Sequence, residues 1–328
     1  MPQLIGIVAV TFIIVRMVPG DPARLMGGPY LPQEGLELIR ERMGLKGSIP
    51  QQFALYVKNL FQGDLGLSWY TGNPVLTDIK ARLPATLQLI ILALLVTYGL
   101  MLPVALKAAS PGKSIVKKIS SKGLFAYGMA AGAFPDFWLG LILIFVFYAL
   151  LGWVPPPIGQ LDITVSAPGH VTGMYLVDSL ITGNWEALAS NLTHSILPVI
   201  VLAFVYGGAI LKVAIVETGQ VKNSQFINFA RVCGLSEGKI KSYINRSVGP
   251  AVATMSGVVF GFLIGGAVLV EKVFSWGGFG EYAVQAVVNA DFAAIQGVVL
   301  VAAILNLVIY LCVDIVYFLV DPRIKSLG

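Results

Sequence analysis

Few residues in this chain are of a type and spacing that could do chemistry. Asp136 sits inside an apolar stretch, in Phe134-Pro135-Asp136-Phe137-Trp138. A carboxylate at the centre of a bilayer costs about 2.5–3.5 kcal/mol on insertion scales, so it must face a partner or water. Two readings stay open for it. It lines a solute path, or it stabilises a local break at Pro135, where the helical ladder loses a bond. Asn306 and Asp314 fall in a later apolar stretch and read as interhelical hydrogen-bonding groups. Cys233 and Cys312 are far apart, and His170 and His194 each stand alone. That pattern offers no disulfide framework and no metal-ligand spacing. A nucleophile paired with a base is equally absent from the sequence. Pro111-Gly112-Lys113-Ser114 has the look of a phosphate loop's end, but the position five residues before Gly112 is Lys107, where that loop needs glycine. It reads as a basic turn, and the chain is expected to carry no ATP site of its own.

The elements that must position these residues are membrane helices. Of 328 residues, 56% are hydrophobic and only 12% charged. Soluble chains carry about 25% charge, and a surface so poor in charge would associate. Uncharged stretches long enough to cross a bilayer run from Leu83 to Leu106, Ala187 to Leu211, Ser247 to Val270, and Phe292 onward past Asp314 to Val320. Leu124 to Leu151 is expected to be one further long span, interrupted only by Asp136. Residues 1–18 read as a first span rather than a signal peptide, having neither a basic start nor a small-residue cleavage site.

Charge sets the sides. Lys107, Lys113, Lys117, Lys118 and Lys122 follow the second span with no acid among them. Lys212, Lys222, Arg231, Lys239, Lys241 and Arg246 follow the fourth, and Arg323 and Lys325 follow the sixth. The 152–186 connection has no Lys or Arg, and the 271–291 connection has Lys272 against Glu271, Glu281 and Asp291. Six helices with both termini cytoplasmic satisfy this pattern. Their order gives a first helix at 1–18, an outer loop at 19–82, a five-helix core at 83–320 and a tail at 321–328. The outer loop is expected to hold two short helices. One runs from Gln33 to Met43 with Gly44 closing it, and one from Ile49 to Phe61 with Phe53, Tyr56 and Leu60 on one face.

Small residues mark helix packing: Gly257, Gly261 and Gly265 in the fifth span, and Gly128 and Gly132 in the third. They fit packing within the chain or against a second subunit. The cytoplasmic segment at 214–248 is too long for a plain turn. Gln225 to Val232 has helical spacing, Gly234 interrupts it, and Ser236 opens a new helix. A helix, a glycine turn and a helix make a lever on which a soluble partner can act.

Ala230-Arg231-Val232-Cys233-Gly234-Leu235-Ser236 resembles the cytoplasmic-loop core of permeases from binding-protein-dependent ABC importers, in particular the first permease of oligopeptide and dipeptide systems. Further segments match in order: Val18-Pro19-Gly20-Asp21-Pro22, Gly63-Asp64-Leu65-Gly66, Arg82-Leu83-Pro84-Ala85-Thr86-Leu87, Phe134-Pro135 with Phe137-Trp138-Leu139-Gly140, Gly152-Trp153-Val154-Pro155, Leu197-Pro198, Val273-Phe274-Ser275-Trp276 and Asp321-Pro322-Arg323-Ile324. The chain departs from the pattern in placing Asn228-Phe229 ahead of Ala230, and in carrying Asp136 where a small polar residue is common.

The resemblance implies an all-α, six-helix fold of the type I importer permease, in the inner membrane of a prokaryote. It implies that Phe229, Ala230, Arg231, Gly234, Leu235 and Ser236 dock on a separate ATPase subunit. Two such ATPases would bind ATP and magnesium, a second permease chain would complete the pathway, and an extracytoplasmic binding protein would deliver solute. Asp136, Trp138 and Tyr206 are the candidates for the path. The expected cargo is an oligopeptide or dipeptide; an oligosaccharide or another small solute is the alternative within the class. An ion-coupled secondary transporter, which usually shows internal repeats and paired intramembrane acids, and an intramembrane enzyme are the more distant alternatives.

Overall fold

In a bilayer every backbone polar group must be satisfied within the protein, and apolar sequence of this length meets that demand as helix. The computed structural model describes residues 2–17, 22–28, 30–42, 45–108 and 115–320, and among them no strand forms. In chain order the helices are α1 (Pro2–Met17), α2 (Pro22–Gly27), α3 (Gln33–Arg42), α4 (Ile49–Phe61), α5 (Val75–Val96), α6 (Leu102–Ala108) and α7 (Ile115–Ala130). There follow α8 (Asp136–Leu143), α9 (Tyr175–Thr182), α10 (Trp185–Lys222), α11 (Gln225–Val232), α12 (Glu237–Val273), α13 (Phe279–Val288) and α14 (Phe292–Val320). The wider π-type winding joins α5 to α6 at Thr97–Met101 and continues α8 through Ile144–Leu150.

Four described helices are long and apolar enough to cross a membrane: Val75–Val104, Trp185–Lys222, Glu237–Val273 and Phe292–Ile315. The expected single span at 124–151 is instead broken: Gly123–Ala133 and Asp136–Leu150 meet at 105°. Proline explains the break. Phe134 and Pro135 are extended, with ψ of 125° and 126°, and the residue before a proline avoids the helical region. Helix α1 is apolar but 16 residues long, about 24 Å at 1.5 Å per residue against a hydrocarbon core of about 30 Å.

The chain divides into two compact units, residues 1–86 with 277–305, and residues 87–276 with 306–328. In the first, α1 packs on α4. Phe12, 1% exposed, meets Phe53 edge-on at 5.1 Å and Tyr56 at 5.6 Å. Arg16 stacks over Phe12 and donates to Gln52 at 2.9 Å. Helix α4 has the bounds and the Phe53/Tyr56 face expected of it. Helix α3 ends at Arg42, and the expected closure at Met43 and Gly44 lies outside the described residues, as do Pro111–Ser114 and the tail motif at 321–324.

A core of Val75, Ile79, Phe279, Tyr282, Ala286, Ala294 and Val298 joins the start of α5 to α13 and α14. Helix α13 lies in the 271–291 connection, which was read from its charges alone; Phe279, Tyr282 and Ala286 stand there at helical spacing. Asp291 pins the same core. Its carboxylate is 1% exposed and accepts from Ser68 Oγ at 2.6 Å, from the Ala294 N–H at 3.1 Å and from the Tyr70 N–H at 3.3 Å. Removing a buried acceptor strands its donors at about 1–3 kcal/mol. Asp291→Ala is therefore expected to lower stability by about 2–3 kcal/mol, read as the midpoint of thermal unfolding in nanodiscs, with Asp291→Asn intermediate.

In the second unit α10 and α12 pack along one another, and α10 also meets α6, α7, α8 and α9. These two helices are longer than their apolar stretches. Helix α10 continues past Leu211 to Lys222 and α12 begins at Glu237, so each runs on beyond its membrane portion as one rod. The 214–248 segment is thus mostly the ends of two spans, with only 223–236 left as connection. Of the packing glycines, Gly257 faces Tyr310 and Val313, and Gly261 faces Asn306, so these two serve contacts within the chain. Gly128 lies against the Gly208 backbone, while Gly132 and Gly265 open on free space.

Candidate functional site

Ser224 caps α11, its hydroxyl accepting from the Ile227 N–H at 3.4 Å. Ile227 and Ala230, 0% and 5% exposed, face inward. The opposite side carries Phe226, Phe229 and Val232 at 55%, 69% and 86% exposure. Three large apolar groups at i, i+3 and i+6 form one exposed stripe on a helix of eight residues. Phe226 also meets Tyr243 of α12, ring centroids 5.6 Å apart.

The turn after α11 depends on Gly234, which has φ of +75°. Its N–H donates to the Arg231 carbonyl at 2.9 Å, and the Leu235 N–H donates to the Ala230 carbonyl at 3.1 Å. A residue with a side chain pays about 1–2 kcal/mol in this region of backbone space. Ser236 then occupies the cap of α12, without a side-chain bond to it. The six residues expected to dock therefore form one continuous feature, yet they do not share one face. Phe229, Arg231, Gly234 and Ser236 are exposed, Leu235 is half-buried, and Ala230 is buried and holds the helix down. Phe226 and Val232, which were not among the expected residues, belong to the exposed surface. Phe229→Ser is expected to weaken partner binding by about 2 kcal/mol or more if this stripe is an interface centre, measured by affinity between detergent-solubilised subunits, while Ala230→Ser lowers helix stability instead.

The three path candidates separate. Asp136 and Tyr206 come together: the Tyr206 hydroxyl donates to Asp136 Oδ2 at 2.8 Å. The other oxygen, Oδ1, accepts from the Phe137 N–H at 2.7 Å. Asp136 thus stands in the first turn of α8, 8% exposed, with both carboxylate oxygens hydrogen-bonded. Trp138 is 47% exposed and stacks on Phe134, centroids 6.3 Å apart, with no bond to the pair.

Gly266 was not expected here. A Cβ at this position would lie 1.8 Å from the Tyr206 hydroxyl oxygen and 2.3 Å from its ring. The bond between α8 and α10 therefore exists only because α12 offers a bare backbone at that point. The sequence signal was the adjacent pair Gly265-Gly266. Spacing arguments selected Gly265, one residue from the close approach.

Helices that cross a membrane, one of them broken around a hydrogen-bonded carboxylate, together with a short capped helix exposing an apolar stripe, define a multi-pass membrane protein. Comparison with known proteins gives the family. Residues 101–326 match the binding-protein-dependent transport system inner membrane component, and residues 3–90 match the N-terminal part of such membrane components. The chain is 36% identical to a probable D,D-dipeptide transport system permease, DdpB, of Escherichia coli K12, over 98% of this chain and 94% of that protein. It is 34% identical to a di/tripeptide transport system permease, DppB, of Pseudomonas aeruginosa, over 99% and 95%. It is 31% identical to a glutathione transport system permease, GsiC, of an Escherichia coli O6:H1 strain, over 99% and 95%. This chain belongs to the family of binding-protein-dependent ABC importer permeases and has its all-helical fold.

Proposed function

We propose that this chain is the first permease subunit of an ATP-driven importer of dipeptides or oligopeptides, working by alternating access between two packings of its helices. Helix α11 with the Gly234 turn docks on an ATPase subunit that binds ATP and magnesium, and this chain supplies no catalytic group and no nucleotide site. A second permease chain completes the path, an extracytoplasmic binding protein delivers solute on the outer side, and both termini lie in the cytoplasm of a prokaryote. The domain plan is a first helix at 1–18, an outer loop at 19–82, a core at 83–320 and a tail at 321–328. The observation that carries this reading is the exposed Phe226–Phe229–Val232 stripe, held beside a glycine turn on the rigid ends of α10 and α12. A surface of that kind is costly to leave in water and suits a partner's cleft. Relatives named for dipeptides, di/tripeptides and glutathione support the peptide cargo.

The test is a pull-down of the tagged chain from detergent-solubilised native membranes. Recovery of a second permease and ATPase subunits, both lost in a Phe226→Ser/Phe229→Ser variant, supports the docking assignment. A lone chain that transports in liposomes without ATP overturns it and moves attention to Asp136 as an ion-coupling group.

A further inference from the structure

The strongest unexplained feature is His194, in the outer third of α10. Its side chain is 2% exposed and borders a small cavity with Ile144, Pro156, Thr193 and Phe274. Nδ1 lies 2.8 Å from the Ser190 carbonyl oxygen. A carbonyl only accepts, so Nδ1 carries the proton in that contact. The neutral ring then has a bare lone pair at Nε2. That atom has no hydrogen-bond partner, and what lies ahead of it is Asp162 Oδ1 at 3.8 Å. In the neutral state an acceptor on a buried ring thus faces an acceptor on a half-exposed carboxylate. Protonation supplies the missing donor and sets a cation against the carboxylate.

Asp162 is more than a nearby charge, because it ties down the long 152–174 connection. Its N–H donates to Ser190 Oγ at 2.9 Å. Next to it Asn191 donates to the Gln160 carbonyl at 3.2 Å, and Gln160 donates to the Trp276 carbonyl at 3.1 Å. His194, Ser190 and Asn191 belong to one face of α10, and the connection lies across them.

We propose that His194 is a proton site that tightens the hold of α10 on the 158–166 segment: when the outer side is acidic, protonated His194 bonds Asp162 and the segment is held more firmly, and when it is neutral the segment keeps only the Ser190, Asn191 and Gln160 bonds. The sign follows from the lone pair. The held state takes up a proton at Nε2, so acid favours it and a rise in pH works against it. Other groups on the surrounding elements do not substitute. Asp162 is the one carboxylate within 4 Å among the described residues. The α8 continuation offers Tyr148, the end of α12 offers Glu271 and Lys272, which have their own interactions, and α10 itself offers only exposed Glu186 nearby. Asp178 of α9 is pushed up by burial. Bonds from the Thr172 hydroxyl and from the N–H groups of Thr172, Val171 and Gly173 outweigh that and hold it below the usual carboxylate range. Its charge and its hold on 171–173 are therefore lost only in stronger acid.

The inference does not depend on the identity of the cargo. It is tested by hydrogen exchange on the full chain in nanodiscs at pH 7.5 and 5.5, expressed as protection factors so that intrinsic rates cancel. Wild type is expected to gain about threefold protection across 158–166 at the lower pH, the scale of a half-exposed charge pair. His194→Gln and Asp162→Asn should each flatten that response, and His170→Gln, at an exposed position, should keep it. A wild-type segment indifferent to pH overturns the proposal. So does a response that survives Asp162→Asn, a change at a half-exposed side chain that leaves His194 and α10 intact.

Discussion

Gly234→Pro is expected to separate this chain from its ATPases while leaving the membrane helices folded. Proline fixes φ near about −65°, whereas the turn needs +75°. The substitution also removes the N–H that bonds the Arg231 carbonyl at 2.9 Å. The two costs together exceed about 3 kcal/mol, more than the remaining contacts of an eight-residue helix can restore. Helix α11 should swing or unravel, and the Phe226–Phe229–Val232 stripe should scatter. Solute-stimulated ATP hydrolysis in proteoliposomes should fall at least tenfold, and the ATPases should no longer co-purify. Gly234→Asn is the graded control, because asparagine tolerates the left-handed region better than other side chains, and it should retain a substantial part of the coupling. The membrane bundle should be monodisperse in all three proteins, since of 230–235 only Ala230 is buried and it belongs to α11, not to a membrane span. Intact coupling in Gly234→Pro would mean that the ATPases grip another surface.

Much of this architecture is readable from residue order, and the exceptions have physical causes. The uncharged stretches give the membrane helices because a bilayer leaves no other way to satisfy backbone groups. Charge counts at either end of each stretch say nothing about where a helix stops. The ends of α10 and α12 carry charge, and they stay helical because they are continuous with buried turns, so the connection between them is much shorter than a hydropathy reading makes it. Helix α13 fails the same reading for the opposite reason. It is short, carries Glu281 in its first turn with Asp291 just past its end, and is buried against Val75 and Ile79, residues about 200 positions away that no local pattern can connect to it. At the candidate sites, the alternation of Ile227 and Ala230 with Phe226 and Phe229 is visible in sequence, and so is the glycine. Which side of α11 is outermost depends on α10 and α12, so the resemblance named Ala230 for docking although it is buried. Asp136 drew attention by its charge alone. Its partner Tyr206 lies 70 positions on, and Gly266 is a further helix away.

That three-helix contact gives the second large expected effect and separates the two readings of Asp136. Tyr206→Phe leaves one carboxylate oxygen without its donor in a setting poor in water, at a cost of about 1–3 kcal/mol. Gly266→Ala should do at least as much damage. Its methyl would lie 1.8 Å from the hydroxyl oxygen and 2.3 Å from the ring, so the tyrosine must rotate away, and overpacking adds about 1–3 kcal/mol to the lost bond. The two sites should be coupled: in a Tyr206→Ala background, where neither hydroxyl nor ring remains, Gly266→Ala should cost less than about 0.5 kcal/mol, and a double-mutant cycle on unfolding midpoints reads the difference. Equal costs in both backgrounds would show that α12 and Tyr206 are not in contact. Asp136→Asn then decides the role. It keeps one acceptor oxygen, for the Phe137 N–H, and turns an amide N–H toward the tyrosine hydroxyl, which can accept from it, but removes the charge. If Asp136 serves to hold the 105° break, Asp136→Asn should transport nearly as wild type while Gly266→Ala fails in stability and transport alike. If the carboxylate lines the path, Asp136→Asn should lose transport at unchanged stability. The bonds already made to it, one from the Phe137 N–H in the first turn of α8 and one from Tyr206, favour the first outcome, because they tie the start of α8 to α10 at the break.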